Sequence, residues 1–348
     1  MILCGDALTE LRKLPDESVN CCVTSPPYWG LRDYGVPGQL GLEETPEEYV
    51  AHMVEVFCEV RRVLRSDGTL WLNLGDSYAA NGARRNNNGE GASTMGWPGQ
   101  RKETLNKAAK MVLPAVHSGL KPKDLVGIPW RVAFALQSDG WWLRQDIIWA
   151  KPNPMPESVR DRCTKAHEYI FMLTKSAKYW YDAEAIWEPA IYGEEHANKA
   201  TSWGTNRKHP NKANVAQYAF VGENHTCHIK ADKQRGHSRR HAGFNDRWDA
   251  MSKEEQCSYM RNKRSVWTIA TRPYAEAHFA TFPPEIPELC IKAGCPKGGK
   301  VLDPFFGAGT TGLVAMRLGR EFIGVDLSPA YCEMARKRIY GTLMEAQL

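Results

Sequence analysis

Apolar positions fall into two blocks of strand-like runs and helix-like stripes, separated by two long stretches where neither period holds. In the first block, Ile2-Leu3-Cys4 predicts a short strand ending at Gly5-Asp6, and Val19 to Thr24 predicts a buried one. Thr45-Pro46-Glu47-Glu48 combines an N-cap hydroxyl, a proline at the first helical position and early acids. It opens an apolar stripe that runs to Leu64. Asp67-Gly68 predicts a turn, Thr69 to Leu74 a strand, and Ile128 to Gln137 a helix with Pro129 near its start. Gln145 to Trp149 and Tyr169 to Thr174 predict further strands. In the second block, which begins near Ser265, Phe282 to Ala293 predicts a helix entered through Pro283 and Pro284. Lys300 to Asp303 predicts a strand, Thr310 to Leu318 a helix closed by Gly319, Phe322 to Asp326 a strand, and Ala330 to Tyr340 a last helix.

The two remaining stretches carry the charge. Residues 79–124 hold eight Lys/Arg against three Asp/Glu, and 193–265 hold fourteen against eight, while the whole chain is only +5. Positive charge gathered in two segments is expected where those segments meet a polyanion; two solvated loops would show the same counts. The Gly/Asn/Arg-rich composition of 79–124 predicts a mobile loop. Residues 193–265 contain Trp203, Tyr218, Phe220, Phe244, Trp248 and Tyr259, too many aromatics for a disordered tail, and predict a small inserted domain. Hydrophobic and charged contents of 43% and 24% are ordinary for a soluble globular protein. No apolar run reaches the roughly 20 residues of a membrane-spanning helix, and Met1 to Asp6 lacks signal-peptide character. Ten scattered cysteines without a C-x-x-C pair predict reduced thiols in a cytoplasmic protein.

Two short motifs carry chemistry. Residues 301–312, VLDPFFGAGTTG, read as a strand, a glycine turn and a helix start; Gly307, Gly309 and Gly312 fit G-x-G-x-x-G, and Asp326 stands where a ribose-binding acid belongs. Alone, that pattern suits any nucleoside cofactor or a plain tight turn. The stretch after Asp326 supplies one helix, so the other strands of the sheet are expected from the N-terminal block, in permuted order. The second motif, Ser25-Pro26-Pro27-Tyr28, ends the Val19 to Thr24 strand on a hydroxyl, two residues without N–H donors, and an aromatic ring.

Taken together, Asp303 to Thr311 resembles the S-adenosylmethionine motif of DNA amino-methyltransferases, and Ser25 to Tyr28 resembles their catalytic motif. The order, catalytic motif first and cofactor motif last, is similar to the β group of that family. Gly5-Asp6, Ile148 to Asn153 and His278 to Pro283 agree with it. The resemblance implies an α/β, Rossmann-like S-adenosylmethionine-dependent methyltransferase fold, circularly permuted, with an inserted DNA-recognition region. On that reading residues 1–192 form the catalytic part, 193–265 the target-recognition region and 266–348 the cofactor-binding part. The cofactor contacts implied are Asp6, Asp303, Pro304, Phe305, Gly307, Gly309, Thr310, Thr311 and Asp326, with the two threonine hydroxyls meeting the cofactor carboxylate.

Exocyclic amines are poor nucleophiles because their lone pair is delocalised into the ring. The resemblance implies that Ser25 and the Pro26 carbonyl accept from the amine, that Pro27 stiffens the turn, and that Tyr28 stacks on a flipped base. Trp29, Lys151, Arg235, Arg239 and Arg240 are the expected nucleic-acid contacts. Serine at the first motif position favours cytosine N4 over adenine N6, the alternative within the family. Cytosine C5 chemistry is disfavoured, since it needs a nucleophilic cysteine after a proline; no Pro-Cys dipeptide occurs, and Cys21 and Cys22 read as packing residues. His225 to His228 and His237 to His241 lack a paired C-x-x-C, so no metal is expected. A non-catalytic DNA-binding module would leave both motifs unexplained. The expected partner is double-stranded DNA, with no membrane. A cognate restriction endonuclease, an orphan or phage-type enzyme without one, and a homodimer all stay open.

Overall fold

The computed structural model describes residues 1–79, 119–189, 260–272 and 282–341. The chain divides into two compact units, Met1–Ala185 with Arg264–Leu348, and Ile186–Lys263. In the described part of the second unit, strand β6 (Glu188–Pro189) pairs antiparallel with β7 (Met260–Arg261), and Arg261 bonds Glu188 at 3.1 Å. The aromatic and histidine-bearing stretches noted between residues 193 and 259 lie outside the described residues.

The first unit is built on one sheet. Its strands are β1 (Ile2–Cys4), β2 (Val19–Thr24), β3 (Leu64–Leu74), β4 (Trp142–Ala150), β5 (His167–Thr174), β8 (Val266–Thr268), β9 (Lys300–Asp303) and β10 (Glu321–Asp326). They lie in the order β1-β10-β9-β2-β3-β5-β4-β8, and β5 runs antiparallel to both of its neighbours. Among the described residues the first and last strands, β1 and β10, therefore pair directly, with Ile2 opposite Gly324, and the Met1 ammonium donates to the Phe322 carbonyl at 2.8 Å. This is the permuted order that the two sequence blocks imply.

Helices cover both faces because successive strand residues point to opposite sides. Cys22, Leu70, Leu72, Leu74, Phe171 and Leu302 join a core with α1 (Ala7–Leu11), α2 (Pro46–Val63) and α3 (Ile128–Ser138). The alternate residue Thr69 instead bonds the carbonyl of Gly294 at the end of α4 (Glu285–Gly294). Helix α2 starts where its sequence says. Thr45 and Glu48 cap each other's backbone at 3.2 Å, Pro46 follows, and Tyr49, Met53, Val56, Phe57, Val60 and Val63 form the buried stripe. Cys21 and Cys22 are fully buried packing residues.

Two elements differ from the sequence reading. Asp67-Gly68 is not a turn between elements. It lies inside β3, where the register slips between Val19↔Leu64 and Cys21↔Thr69, so the residues that suggested a turn form a bulge. The last helix, α6 (Pro329–Arg336), ends sooner than expected and widens into a π-type turn over Lys337–Gly341. The 79–124 segment lies mostly outside the described residues, but its described flanks pair. Ala79 N donates to the Asp124 carbonyl at 2.8 Å, and Lys123 N to the Ala79 carbonyl at 2.9 Å. The expected helix start near Phe282 is preceded by residues 273–281, which also lie outside the description. Among the described residues no helix is long and apolar enough to cross a membrane.

The topology positions a crevice. From β9 the chain proceeds through α5 (Thr310–Arg317) to β10 on one side, and from β2 it proceeds through α2 to β3 on the other. The loops leaving these adjacent strands diverge at their carboxyl ends, the place where open α/β sheets take ligands. The reversed strand β5 brings its first residues, His167 and Glu168, to the same edge.

One glycine beneath this edge is tightly specified. A Cβ on Gly324 in β10 would lie 2.4 Å from the Phe306 ring, which stacks on Phe322 at 5.5 Å. Gly324→Ala is expected to lower stability by about 1–3 kcal/mol, since the buried ring has no room to yield. Urea unfolding checks this, and an unchanged midpoint would contradict the packing described.

Candidate active site

Strand β9 ends on Asp303, only 2% exposed, whose oxygens are all engaged. Oδ1 accepts from the Thr24 hydroxyl at 2.6 Å and from Phe305 N at 3.1 Å, and Oδ2 accepts from the Thr311 hydroxyl at 2.7 Å. Burial pushes its carboxyl up to about 6, against the opposing pull of these bonds. The carboxylate thus ties the end of β2, the glycine turn and the first turn of α5 into one piece.

After buried Pro304 and half-buried Phe305, the turn passes through Gly307 at φ +50° and Gly309 at φ +77°. A Cβ on Gly309 would lie 2.9 Å from Ala335, whereas the same position on Gly307 has no heavy atom within 4 Å. Gly309 lets the turn close against α6; Gly307 leaves its outer side open. Gly307 N donates to Asp326 Oδ2 at 2.7 Å, and Ser328 N to Oδ1 at 2.8 Å, so the strand-end acid is held from both sides while burial raises its carboxyl. Asp6 follows just beyond β1, where Gly5 N donates to the Asp326 carbonyl; its own carboxylate caps α1 through Thr9. Backbone N–H groups at a helix start beside a strand-end carboxylate suit a ligand with hydroxyl donors and an anionic tail. Both threonine hydroxyls also have partners within the protein. Thr311 donates to Asp303, and Thr310 accepts from Arg338 at 2.9 Å.

Across the crevice, β2 delivers Ser25-Pro26-Pro27-Tyr28. The Tyr49 hydroxyl of α2 donates to the Pro27 carbonyl at 2.8 Å and fixes the turn from below, while Pro26 is buried. The Tyr28 ring lies against Gly75, where a Cβ would approach within 2.5 Å. Its hydroxyl donates to Glu168 Oε2 at 2.7 Å, lies 3.3 Å from Ser25 Oγ, and accepts from Asn73 Nδ2 at 2.9 Å. Burial, then the Glu168 charge, holds its phenol well above the usual range. Lys151, just past β4, pairs with Glu168 and sits 4.3 Å over the Trp149 ring.

The structure brings Ser25, Pro26, Pro27 and Tyr28 together at one edge with the glycine turn, Asp6 and Asp326. Trp29 needs correction as a nucleic-acid contact. It is 1% exposed in the core, and its indole donates to the Glu43 carbonyl at 3.0 Å. Lys151 is engaged by a carboxylate inside the site, and Arg235, Arg239 and Arg240 lie outside the described residues. Asn73 and Glu168 escaped the sequence reading. Their signals were faint: one polar residue at the end of the apolar run TLWLNL, and one acid opening the buried strand HEYIFMLT.

The raised Asp303 carboxyl makes a signed prediction. Its folded value exceeds the unfolded one, so its contribution to stability is full at low pH and is lost as pH rises through about 6. The stability of the protein relative to Asp303→Asn should therefore fall between about pH 4 and pH 6, and level off above pH 7. Urea titrations across that range check it; a difference that grows with pH would contradict the burial-dominated carboxyl.

Comparison with known proteins agrees with this geometry. The chain is 44% identical over 339 residues to the Type II methyltransferase M.XycI of Xanthomonas campestris pv. cyanopsidis, spanning 97% of this chain and 86% of that one. Its fold is similar to that of the PvuII DNA methyltransferase (cytosine-N4-specific), with a TM-score of 0.57 at 18% identity over 97% of this chain and 85% of that one. It is also similar to a putative DNA modification methylase of Thermus thermophilus complexed with S-adenosyl-L-methionine, with a TM-score of 0.53 at 22% identity over 98% and 93% of the two chains. The family model described as DNA methylase, of N6/N4 type, matches residues 19–337. With the strand-end hydroxyl motif and the glycine turn meeting at one sheet edge, the chain belongs to the N6/N4 DNA methylase family and is a DNA methyltransferase.

Proposed function

We propose that the chain transfers a methyl group from S-adenosylmethionine to the exocyclic N4 amine of cytosine in duplex DNA. One observation carries this reading: Ser25 and Tyr28 share a hydrogen-bonded cluster at the same crevice as the glycine turn and Asp326. Bound there, S-adenosylmethionine supplies an electrophilic methyl group. Asp326 and Asp6 would hold its nucleoside, Asp326 by accepting from the ribose hydroxyls, and the open side of Gly307 would let the backbone approach it. Asp303, with both oxygens used within the protein, shapes the turn.

The target amine needs acceptors that draw its hydrogens out of the ring plane and so restore electron density to nitrogen. Ser25 and the Pro26 carbonyl fill that role in this reading, and the rest is positioning. The base reaches them by leaving the duplex, with the Tyr28 ring beside it. Serine at this motif position supports cytosine, as does the fold shared with an enzyme described as cytosine-N4-specific. The basic segment 193–265, inserted between the catalytic and cofactor parts, is assigned to target recognition, with Arg235, Arg239 and Arg240 for phosphates or base edges. The Type II naming of the relative supports a cognate restriction endonuclease.

Two outcomes check this. DNA incubated with the protein and S-adenosylmethionine, then digested to nucleosides for mass spectrometry, should contain N4-methylcytosine. N6-methyladenine would overturn the base assignment. Asp326→Ala should weaken S-adenosylmethionine at least about tenfold in calorimetry, the scale of one lost charged hydrogen-bonding partner. Unchanged affinity in the folded variant would remove Asp326 from the cofactor site.

A further inference from the structure

The cluster behind Ser25 has a direction, and one residue sets it. Glu168 receives the donor-only Lys151 ammonium on Oε1, and two donors on Oε2: the Tyr28 hydroxyl at 2.7 Å and Asn73 Nδ2 at 3.0 Å. With three donors directed at its two oxygens, Glu168 accepts on both. Tyr28 therefore spends its single hydrogen on Glu168, and its oxygen can only accept, from Asn73 Nδ2 at 2.9 Å and from Ser25 Oγ at 3.3 Å. In its contact with Tyr28, Ser25 is thereby the donor, while its own oxygen accepts from Asn73 Nδ2 at 3.3 Å. The Asn73 amide conforms to the same order: its Nδ2 faces this chain of acceptors, while Oδ1 is buried without a partner among the described residues. An orphaned buried carbonyl costs free energy, so the amide orientation is imposed by the carboxylate.

We propose that Glu168 is a positioning residue that fixes hydrogen-bond polarity through Tyr28, so that Ser25 offers the target amine an oxygen lone pair and never a proton. The difference matters chemically. An acceptor at Ser25 engages an amine hydrogen and enriches the nitrogen. A donor at Ser25 would engage the nitrogen lone pair, the one that must form the new N–C bond. Glu168 touches neither base nor cofactor in this scheme and acts only through Tyr28.

The inference rests on the reading of Ser25 as the amine acceptor, and the experiment separates the two. Single-turnover methyl transfer is measured for the wild type, Glu168→Gln, Tyr28→Phe and the double variant, with S-adenosylmethionine affinity and DNA KM alongside. The Gln amide can donate to Tyr28 and reverse the chain. Glu168→Gln should lose about 10- to 100-fold in rate, with DNA KM and cofactor affinity within about threefold. Tyr28→Phe keeps the ring but cuts the link, so adding Glu168→Gln to it should cost little more. Equal losses from Glu168→Gln in both backgrounds would mark a merely structural residue and overturn the proposal, as would loss appearing in KM alone. Tyr28→Phe by itself is a second arm: full rate in that variant overturns the proposal even where Glu168→Gln does not fold. A wild type that methylates no exocyclic amine would instead overturn the reading of Ser25, and the inference with it.

Discussion

The buried carboxylate of Asp303 is the interaction on which the site depends. A charge-bearing group at 2% exposure is costly unless its lone pairs are filled, and here Thr24, Thr311 and Phe305 N fill them. These partners come from the end of β2, the first turn of α5 and the turn between β9 and α5. Thr24 and Asp303 are 279 residues apart in sequence, yet the 2.6 Å bond between them sets Ser25 one residue from the glycine turn's anchor. A permuted chain assembles its site from both ends, and this is where they are joined.

That joining explains how the remaining geometry follows. Strands β9 and β2 lead in opposite directions across the sheet, so the loops leaving them separate and open the crevice. The reversed strand β5 then presents Glu168 at the edge where the parallel strands β3 and β4 end with Asn73 and Lys151 close by. Asn73 and Glu168 stand on strands of the sheet, and Ser25 and Lys151 one residue beyond them. Placement on rigid elements suits chemistry whose rate comes from alignment of an amine with a methyl donor.

Much of the fold was legible because it is written in local terms. The N-cap, proline and apolar stripe of α2 sit within one short stretch, and the Gly307 and Gly309 turn declares its backbone requirement directly. Asp67-Gly68 misled because its turn chemistry serves a bulge, a distinction set by register with β2. At the site, Ser25 to Tyr28 and Asp326 were legible as motifs. Asn73 and Glu168 were not, because their meaning is pairwise. Glu168 meets Tyr28, 140 residues away, only because β5 reverses and carries it there. Trp29 failed for a related reason: adjacency to Tyr28 says nothing of direction, and the next residue along points into the core.

The most direct measurement is single-turnover methyl transfer by Thr24→Val, alongside its unfolding midpoint and its affinity for S-adenosylmethionine. Valine keeps the volume and the strand preference of Thr24 but removes the hydroxyl that joins β2 to Asp303. If that bond aligns the catalytic motif with the glycine turn, the rate should fall about tenfold or more while the folded variant still binds the cofactor. A Thr24→Val protein that transfers methyl groups at the wild-type rate would contradict the account.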